Sequence, residues 1–243
     1  MAGATTGLQY RNAMPITFAR HGALRLRSGL NYGFARRVEA APLGLGEIAV
    51  AAQWYPVAFT DEPKPRPVAI LGLRRGENLF VNEAGQWAEA AYVPAIFRRY
   101  PFGLAPVGEE GEPVLCVDTV DEVLTDTGGL PLYEGLKPGR LLKTAIDLCQ
   151  AMEVDAAAAA RLIQRLTELS LLDRRAAHAD MPDGARLSLS GFLTIDEARF
   201  RALDDEAFLE FRRAGWLAPI YAQMNSALNW NRLADQVYAR QAA

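Results

Sequence analysis

The sequence predicts an α+β fold: an N-terminal antiparallel β meander with a short proline-bounded helix, followed by a mainly helical half containing one β-hairpin. Two observations support this prediction. In the first half, short apolar runs alternate with closely spaced Gly, Pro and Asn residues, which is the pattern of a meander. In the second half, apolar residues recur at helical spacing, and residues 181–184 supply the turn signal of a β-hairpin.

The chain is long enough to bury a substantial core, and no flexible linker divides it. We therefore expect a single domain over residues 1–243. Within it, residues 1–45 are predicted to form an irregular basic arm, residues 46–125 a β-rich half, and residues 138–243 a helix-rich half. The arm is basic because residues 1–40 contain six arginines and one acidic residue.

The predicted meander begins with a strand at 57–59 and returns, after a proline-rich loop, as a strand at 68–73. The second strand is apolar on both faces, which predicts a central position in its sheet. Two turns, at 74–78 and 82–85, enclose a third predicted strand at 79–81.

A short helix is predicted between Pro94 and Pro101. Proline suits the first helical position, and it disfavours the helical conformation in the residue that precedes it. Strands at 102–106 and 113–118 follow, joined by an acidic turn at 108–112.

Helical spacing then predicts two helices, over 138–152 and 155–169, that form an antiparallel hairpin. Asp155 is the expected N-cap of the second helix. After the β-hairpin, two short helices with aspartate caps precede a final helix over about 217–238.

Composition excludes several classes of protein. Half of the residues are apolar and 23% are charged, which is typical of a folded chain, and the net charge of -3 argues against a general affinity for nucleic acid. Cys116 and Cys149 lie in apolar segments, so we expect buried thiols in a reducing compartment. No secretory signal opens the chain and no apolar run reaches membrane-spanning length, which predicts a cytoplasmic protein without a transmembrane segment.

Motifs for catalysis are absent from the sequence. It contains no G-x-S-x-G elbow, H-E-x-x-H helix, phosphate-binding loop, dinucleotide-binding turn or C-x-x-C pair. His21 and His178 have no carboxylate or histidine partner at metal-ligand spacing. We therefore expect no catalytic residue, no metal site and no cofactor, and the sequence favours a binding protein over an enzyme.

Three segments are candidates for ligand or partner binding because each groups arginine, aromatic or amide side chains. A charged turn offers planar bidentate donors for an anion, a proline-bounded helix interleaves aromatics with arginines, and the final helix presents a polar stripe at i, i+4 and i+8. The alternatives are a solvated hairpin, aromatics that anchor the helix to a sheet, and ordinary helix packing. The candidate residues are Arg75, Glu77 and Asn78; Tyr92, Arg98, Arg99 and Tyr100; and Tyr221 and Asn225.

The residues at 55–59, 67–81 and 92–102 resemble those of the SapC family, whose name refers to surface layers. Further similar segments lie at 191–197 and 215–222, in consistent order, so the resemblance covers roughly residues 10–233. It implies a link to bacterial surface-layer or envelope biology and no known reaction or cofactor. A surface location differs from the cytoplasmic one that the missing signal predicts.

Three functional hypotheses follow from these observations, of which an enzyme with dispersed acid–base residues is the least favoured. The first is a non-enzymatic binding or accessory protein of the surface layer or envelope, with a protein or peptide partner. The alternative is a cytoplasmic adaptor of a flavin-dependent halogenase-like enzyme, or of another enzyme that tailors peptide or aromatic substrates.

Overall fold

The computed structural model describes residues 8, 10–29, 31–106, 112–120, 122–180 and 186–242. The chain divides into two compact units. The first contains Tyr32–Pro94 and Asp155–Ala243, and the second contains Leu8–Asn31 and Ala95–Val154. Helices and antiparallel strands occur in both units, which confirms a mixed α and β protein. The single domain stays a prediction.

Most strands and helices are short, and the longest element is a helix of 29 residues. The strands are β1 (Ala13–Pro15), β2 (Arg25–Leu26), β3 (Ala40–Pro42), β4 (Val57–Thr60), β5 (Pro67–Ile70), β6 (Phe102–Pro106), β7 (Pro113–Asp118), β8 (Leu124–Thr125), β9 (Leu130–Pro131), β10 (Tyr133–Glu134), β11 (Lys137–Pro138), β12 (Leu172–Asp180) and β13 (Arg186–Ile195). The α-helices are α1 (Phe18–His21), α2 (Ile48–Ala51), α3 (Ala95–Arg98), α4 (Arg140–Glu168), α5 (Glu197–Arg201), α6 (Asp205–Arg213), α7 (Leu217–Asn225) and α8 (Asn229–Ala242), with 3₁₀ turns at Gly33–Ala35 and Ser226–Leu228.

The first unit is built on a five-stranded antiparallel sheet of order β12-β13-β4-β5-β3. Strand β5 pairs with a neighbour on each side and is buried along its whole length, so its predicted interior position is confirmed. The β-hairpin of the helical half is formed by β12 and β13, while its turn at 181–185 lies outside the described residues.

The predicted strand at 79–81 is wrong. Only Val81 forms an isolated bridge, to Trp87, and the neighbouring backbone follows an irregular course. The physical reason is the side chain of Asn78, whose Oδ1 accepts from the Phe80 N–H at 2.9 Å in place of a strand partner. A local side-chain bond of this kind competes with a sheet ladder.

The predicted helical hairpin is also wrong, because α4 runs without a break through 153–155. No Gly or Pro stands at these positions, and the alanines at 156–160 are the strongest helix formers, so nothing ends the helix there. Asp155 therefore caps no helix. Its carboxylate accepts instead from the backbone N–H of Gly46, at 3.0 and 3.1 Å.

The predicted final helix is divided by the 3₁₀ turn at Ser226–Leu228. Three buried polar side chains attach this region to the start of β4 and to the segment before it. The Gln223 amide donates to Val57 O at 2.9 Å, and the Ser226 hydroxyl accepts from Val57 N–H at 2.9 Å. Asn229 donates from Nδ2 to Ala52 O and Tyr55 O, at 2.7 and 3.0 Å.

The core of the first unit lies between its sheet and its helices. Aromatic and aliphatic side chains from α4, α6, α7 and β4 meet there, and most of them are almost completely buried. Burial of this much apolar surface is the main force that holds the helices against the sheet. Its central residues are Phe59, Leu162, Leu166, Phe211 and Ile220.

The second unit contains two three-stranded antiparallel sheets, β1-β7-β6 and β8-β2-β9, and the small hairpin β10-β11. Strands β6 and β7 occupy the predicted positions, and their connecting turn at 107–111 lies outside the described residues. The expected irregular arm contains strands β1, β2 and β3, because its backbone finds partners far along the chain.

A buried aspartate in the second unit explains how the first described residues are held. Asp118 is fully buried, and its carboxylate accepts from the backbone N–H groups of Arg11 and Asn12 at 3.2 and 2.8 Å. The Tyr100 hydroxyl donates to the same carboxylate at 3.0 Å. Three donors satisfy the buried carboxylate, and two of them hold residues 11 and 12 beside β7.

No helix of the described chain combines the length and the apolar character needed to cross a membrane.

Candidate functional site

The described surface of the first unit carries a groove of about 590 Å³ in which arginines predominate. Three chain segments that are distant in sequence form it: the 3₁₀ turn at Gly33–Ala35 with the arginines after it, the turn at 74–78, and the end of α8. We call it the arginine groove. Its lining residues are Gly33, Phe34, Arg36, Arg37, Gly76, Glu77, Asn78 and Arg240.

Asn78 builds one wall of the arginine groove. It is buried, donates from Nδ2 to Ala35 O at 3.0 Å, and its backbone N–H donates to Arg36 O at 3.0 Å. These bonds fix the backbone that carries Arg36 and Arg37. The adjoining Gly76 has a φ of +70°, a left-handed conformation that glycine adopts without strain, and its N–H donates to the Glu39 carboxylate at 3.1 Å.

The charges of the arginine groove are incompletely paired. Arg36 meets Glu83 at 3.5 Å on the exposed surface, where an ion pair contributes little. Arg37 is exposed and makes no ion pair within the described part of the chain. Glu77 lies 3.9 Å from Arg74, so three lining arginines face one lining carboxylate. The groove is therefore cationic.

Arg240 closes the arginine groove from the C-terminal helix. Its Nη2 donates to the carbonyl oxygens of Leu79 and Val81, at 2.9 and 3.1 Å. Both acceptors are neutral backbone groups, and no carboxylate in the described part of the chain forms an ion pair with this guanidinium. A preorganised guanidinium of this kind suits bidentate binding of a carboxylate or phosphate.

A second groove of about 470 Å³ meets the first at Arg240, which lines both. Half of its lining residues are apolar or aromatic, and the others are two side-chain amides, one acid and Arg240. We call it the tryptophan groove. Its lining residues are Leu79, Phe80, Asn82, Gln86, Trp87, Ala88, Glu89 and Arg240.

Of the candidates in the charged turn, Glu77 and Asn78 line the arginine groove, while Arg75 is exposed on the same turn without being one of the lining residues. The Asn78 side chain is almost completely buried, so it holds neighbouring backbone groups through hydrogen bonds and is not exposed to a ligand. The turn itself therefore contributes Glu77 and the backbone of 76–78 to the groove.

Tyr92 has a structural position elsewhere in the first unit. Its hydroxyl donates to Glu47 Oε1 at 2.7 Å, and its carbonyl accepts from the hydroxyl of the buried Tyr55. Trp87 Nε1 donates to the same Tyr55 hydroxyl at 3.2 Å. Burial raises the pKa of Tyr55 well above its usual value, so the Tyr55 hydroxyl stays protonated.

The other candidates of the proline-bounded helix, Arg98, Arg99 and Tyr100, belong to the second unit and do not line the arginine groove. Arg98 is exposed, and Arg99 is partly buried beside Tyr10. Burial, and next the hydrogen bond to Asp118, raise the pKa of Tyr100. These contacts favour the alternative in which the aromatics anchor the helix.

The 3₁₀ turn at Ser226–Leu228 divides the predicted polar stripe, with Tyr221 and Asn225 before it and Asn229 after it. Tyr221 and Asn225 are exposed, whereas Asn229 is buried against backbone carbonyls. The 3₁₀ geometry has about three residues per turn instead of 3.6, which rotates Asn229 away from the face that the i, i+4, i+8 spacing predicts. Tyr221 packs edge-on against Phe200, with ring centroids 5.8 Å apart.

Sequence reasoning missed the residues that make the groove cationic. Arg36 and Arg37 were visible only as part of a basic segment, and nothing in the sequence singled out Arg240. Among the described residues, no group of three or more His, Cys, Asp or Glu side chains is placed to hold a metal ion. Both cysteines are buried, as expected, and burial raises the pKa of each thiol.

The fold and the groove define a mixed α and β protein, built on antiparallel sheets, that carries a preformed cationic groove. The family model of SapC matches residues 16–233, which is most of the chain, and the protein belongs to the SapC family. No curated protein and no solved structure matches the chain. Arg36 and Asn78 lie within the matched residues, and Arg240 lies beyond them.

Proposed function

We propose that this SapC-family protein is a non-enzymatic binding or accessory protein whose arginine groove binds acidic segments of a peptide or protein partner. The observation that carries the proposal is the excess of arginine over carboxylate among the groove residues. Hydrogen bonds from Asn78 and Arg240 to backbone carbonyls fix the walls of this groove. Guanidinium groups bind carboxylates through paired hydrogen bonds, so Asp, Glu and a C-terminal carboxylate are the groups that fit.

Charge distribution favours an acidic peptide over nucleic acid. The chain carries a net charge of -3, and Glu77, Glu83 and Glu89 lie close to the groove arginines. A phosphate backbone needs a continuous basic path, because its affinity rises with the number of phosphates neutralised. A peptide needs only a few carboxylates, and its remaining residues tolerate the neighbouring acids.

The test is binding of a fluorescein-labelled peptide of alternating Asp and Gly, measured by fluorescence anisotropy. Arg37→Gln is expected to weaken binding about fivefold, since one exposed charge-assisted contact contributes about 1 kcal/mol. Arg213→Gln removes the same charge from an exposed position on α6 and serves as the matched control. Salt is expected to weaken binding to the unchanged protein.

Two results would contradict the proposal. One is equal binding by the two variants, and the other is a single-stranded oligonucleotide of equal charge that displaces the peptide at equal concentration. Circular dichroism of both variants checks that the fold is retained, as expected for substitutions of exposed side chains.

We also propose a link to the surface layer or envelope, which rests on what the name of the SapC family implies. Fractionation of cells tests it: the protein is expected in the envelope fraction, and a purely cytosolic pool would contradict a surface role. The cytoplasmic adaptor of a tailoring enzyme stays a prediction. It would be supported by co-purification of such an enzyme that depends on Arg37.

A further inference from the structure

Arg240 belongs to two grooves, and this shared residue extends the proposed binding site. It lines the arginine groove with Arg36 and Arg37, and it also lines the tryptophan groove. The carbonyl oxygens of Leu79 and Val81 hold one of its guanidinium nitrogens, Nη2. Within the described chain its other guanidinium nitrogens make no hydrogen bond, so they remain able to donate to a ligand.

The tryptophan groove has the chemistry of a pocket for an aromatic side chain. Trp87 is half-buried, and its ring is fixed from two directions, by the Nε1 bond to Tyr55 and by an edge-on contact with Tyr32 at 5.5 Å. Asn82 and Gln86 are joined by two hydrogen bonds that involve their side chains, of 3.0 and 2.9 Å, and by a backbone hydrogen bond of 3.0 Å. Preformed apolar walls with a few fixed polar groups are typical of binding pockets, and aromatic rings pair well with tryptophan.

We propose that the two grooves bind a single acidic peptide in which an aromatic residue is flanked by acidic residues. The carboxylates occupy the arginine groove, and the aromatic ring lies against Trp87. In an extended peptide, alternate side chains point to opposite sides, so an acid–aromatic–acid tripeptide serves both grooves where they meet at Arg240. This inference rests on the proposed function and names the sequence class of its ligand.

The experiment compares two fluorescein-labelled peptides of equal length and charge. Each is a Gly and Ser chain with a central tripeptide, Asp-Phe-Asp in one and Asp-Ala-Asp in the other. Fluorescence anisotropy is expected to show about three- to tenfold tighter binding of the phenylalanine peptide, the gain typical of an aromatic pair.

A second measurement locates the aromatic ring. The chain contains four tryptophans, which 5-fluorotryptophan makes visible in fluorine NMR. The Trp87 resonance is identified as the one lost in Trp87→Phe, and it is expected to shift with the phenylalanine peptide and to stay in place with the alanine peptide. Trp87→Leu is expected to abolish the preference between the peptides, while Trp54→Leu, the matched control, preserves it.

The outcomes separate the two proposals. Equal affinity for both peptides with an unmoved Trp87 resonance would overturn the aromatic preference and leave the proposed function standing. Failure of both peptides to bind would overturn both proposals. If Trp87→Leu does not fold, the peptide comparison and the NMR shift measured on the unchanged protein still test the aromatic preference.

Discussion

The buried amide of Asn229 supplies a quantitative test of how the C-terminal helices are held. Asn229→Ala removes the donor that serves Ala52 O and Tyr55 O, at 2.7 and 3.0 Å. Asn225→Ala, four residues earlier, removes the same side chain from an exposed position with no side-chain cap bond. The two changes have identical chemistry and differ only in burial.

The expected cost follows from the two acceptors. Tyr55 is fully buried, so its carbonyl loses its partner without access to water, which costs about 1–3 kcal/mol. Ala52 is only partly buried, so water replaces most of its lost bond. We expect Asn229→Ala to lower the free energy of unfolding by about 2–3 kcal/mol and Asn225→Ala to change it by less than about 0.5 kcal/mol.

Urea denaturation followed by circular dichroism measures both variants. With a slope of about 2–3 kcal/mol/M, Asn229→Ala is expected to lower the urea midpoint by roughly 1 M. Asn229→Asp is expected to cost at least as much, since a carboxylate oxygen would then face two carbonyl oxygens. Equal midpoints for Asn229→Ala and Asn225→Ala would refute the reasoning, because burial would then make no difference.

Two further predictions concern other buried positions. Burial raises the pKa of the Cys116 and Cys149 thiols, so neither forms thiolate readily at pH 8. A disulfide reagent is therefore expected to modify both cysteines only after denaturation. Rapid modification of the native protein would contradict this prediction. In Gly72→Ala the new Cβ would lie 2.1 Å from Glu77 O, so the groove turn must move. We expect this variant to lose about 1–3 kcal/mol in the free energy of unfolding. Gly46→Ala serves as the control, because its Cβ would lie 3.4 Å from its nearest neighbour. Equal thermal stability of the two variants would count against a clash at Gly72.

Local sequence patterns predicted several strands correctly. Strands β4, β5, β6 and β7 lie where apolar runs bounded by Pro and Gly predicted them. Alternation and turn residues act over a few positions, so they are readable without knowledge of the rest of the chain. The strand predicted at 79–81 fails because the Asn78 side chain bonds to the Phe80 N–H. The break predicted at 153–155 fails because strong helix formers continue through it, and Asp155 bonds to Gly46 instead of capping a helix.

The candidate site was only partly predictable. Glu77 and Asn78 were recognised because they stand in a charged turn between apolar segments. Arg36 and Arg240 were not, since they join that turn only through contacts between residues far apart in sequence. The charge of a basic segment can be read from the sequence, but the residues that surround that charge in the folded protein cannot.

The sequence alone determined the mixed α and β class, the buried cysteines and the resemblance to SapC, which the family match confirmed. These properties depend on composition and on patterns that each segment carries by itself. The tertiary structure decided that three arginines from two ends of the chain line one groove, and that Asn229 is buried while Asn225 is exposed. The reason is physical: long-range packing chooses the neighbours of each side chain, and burial then sets what its charge or amide can do.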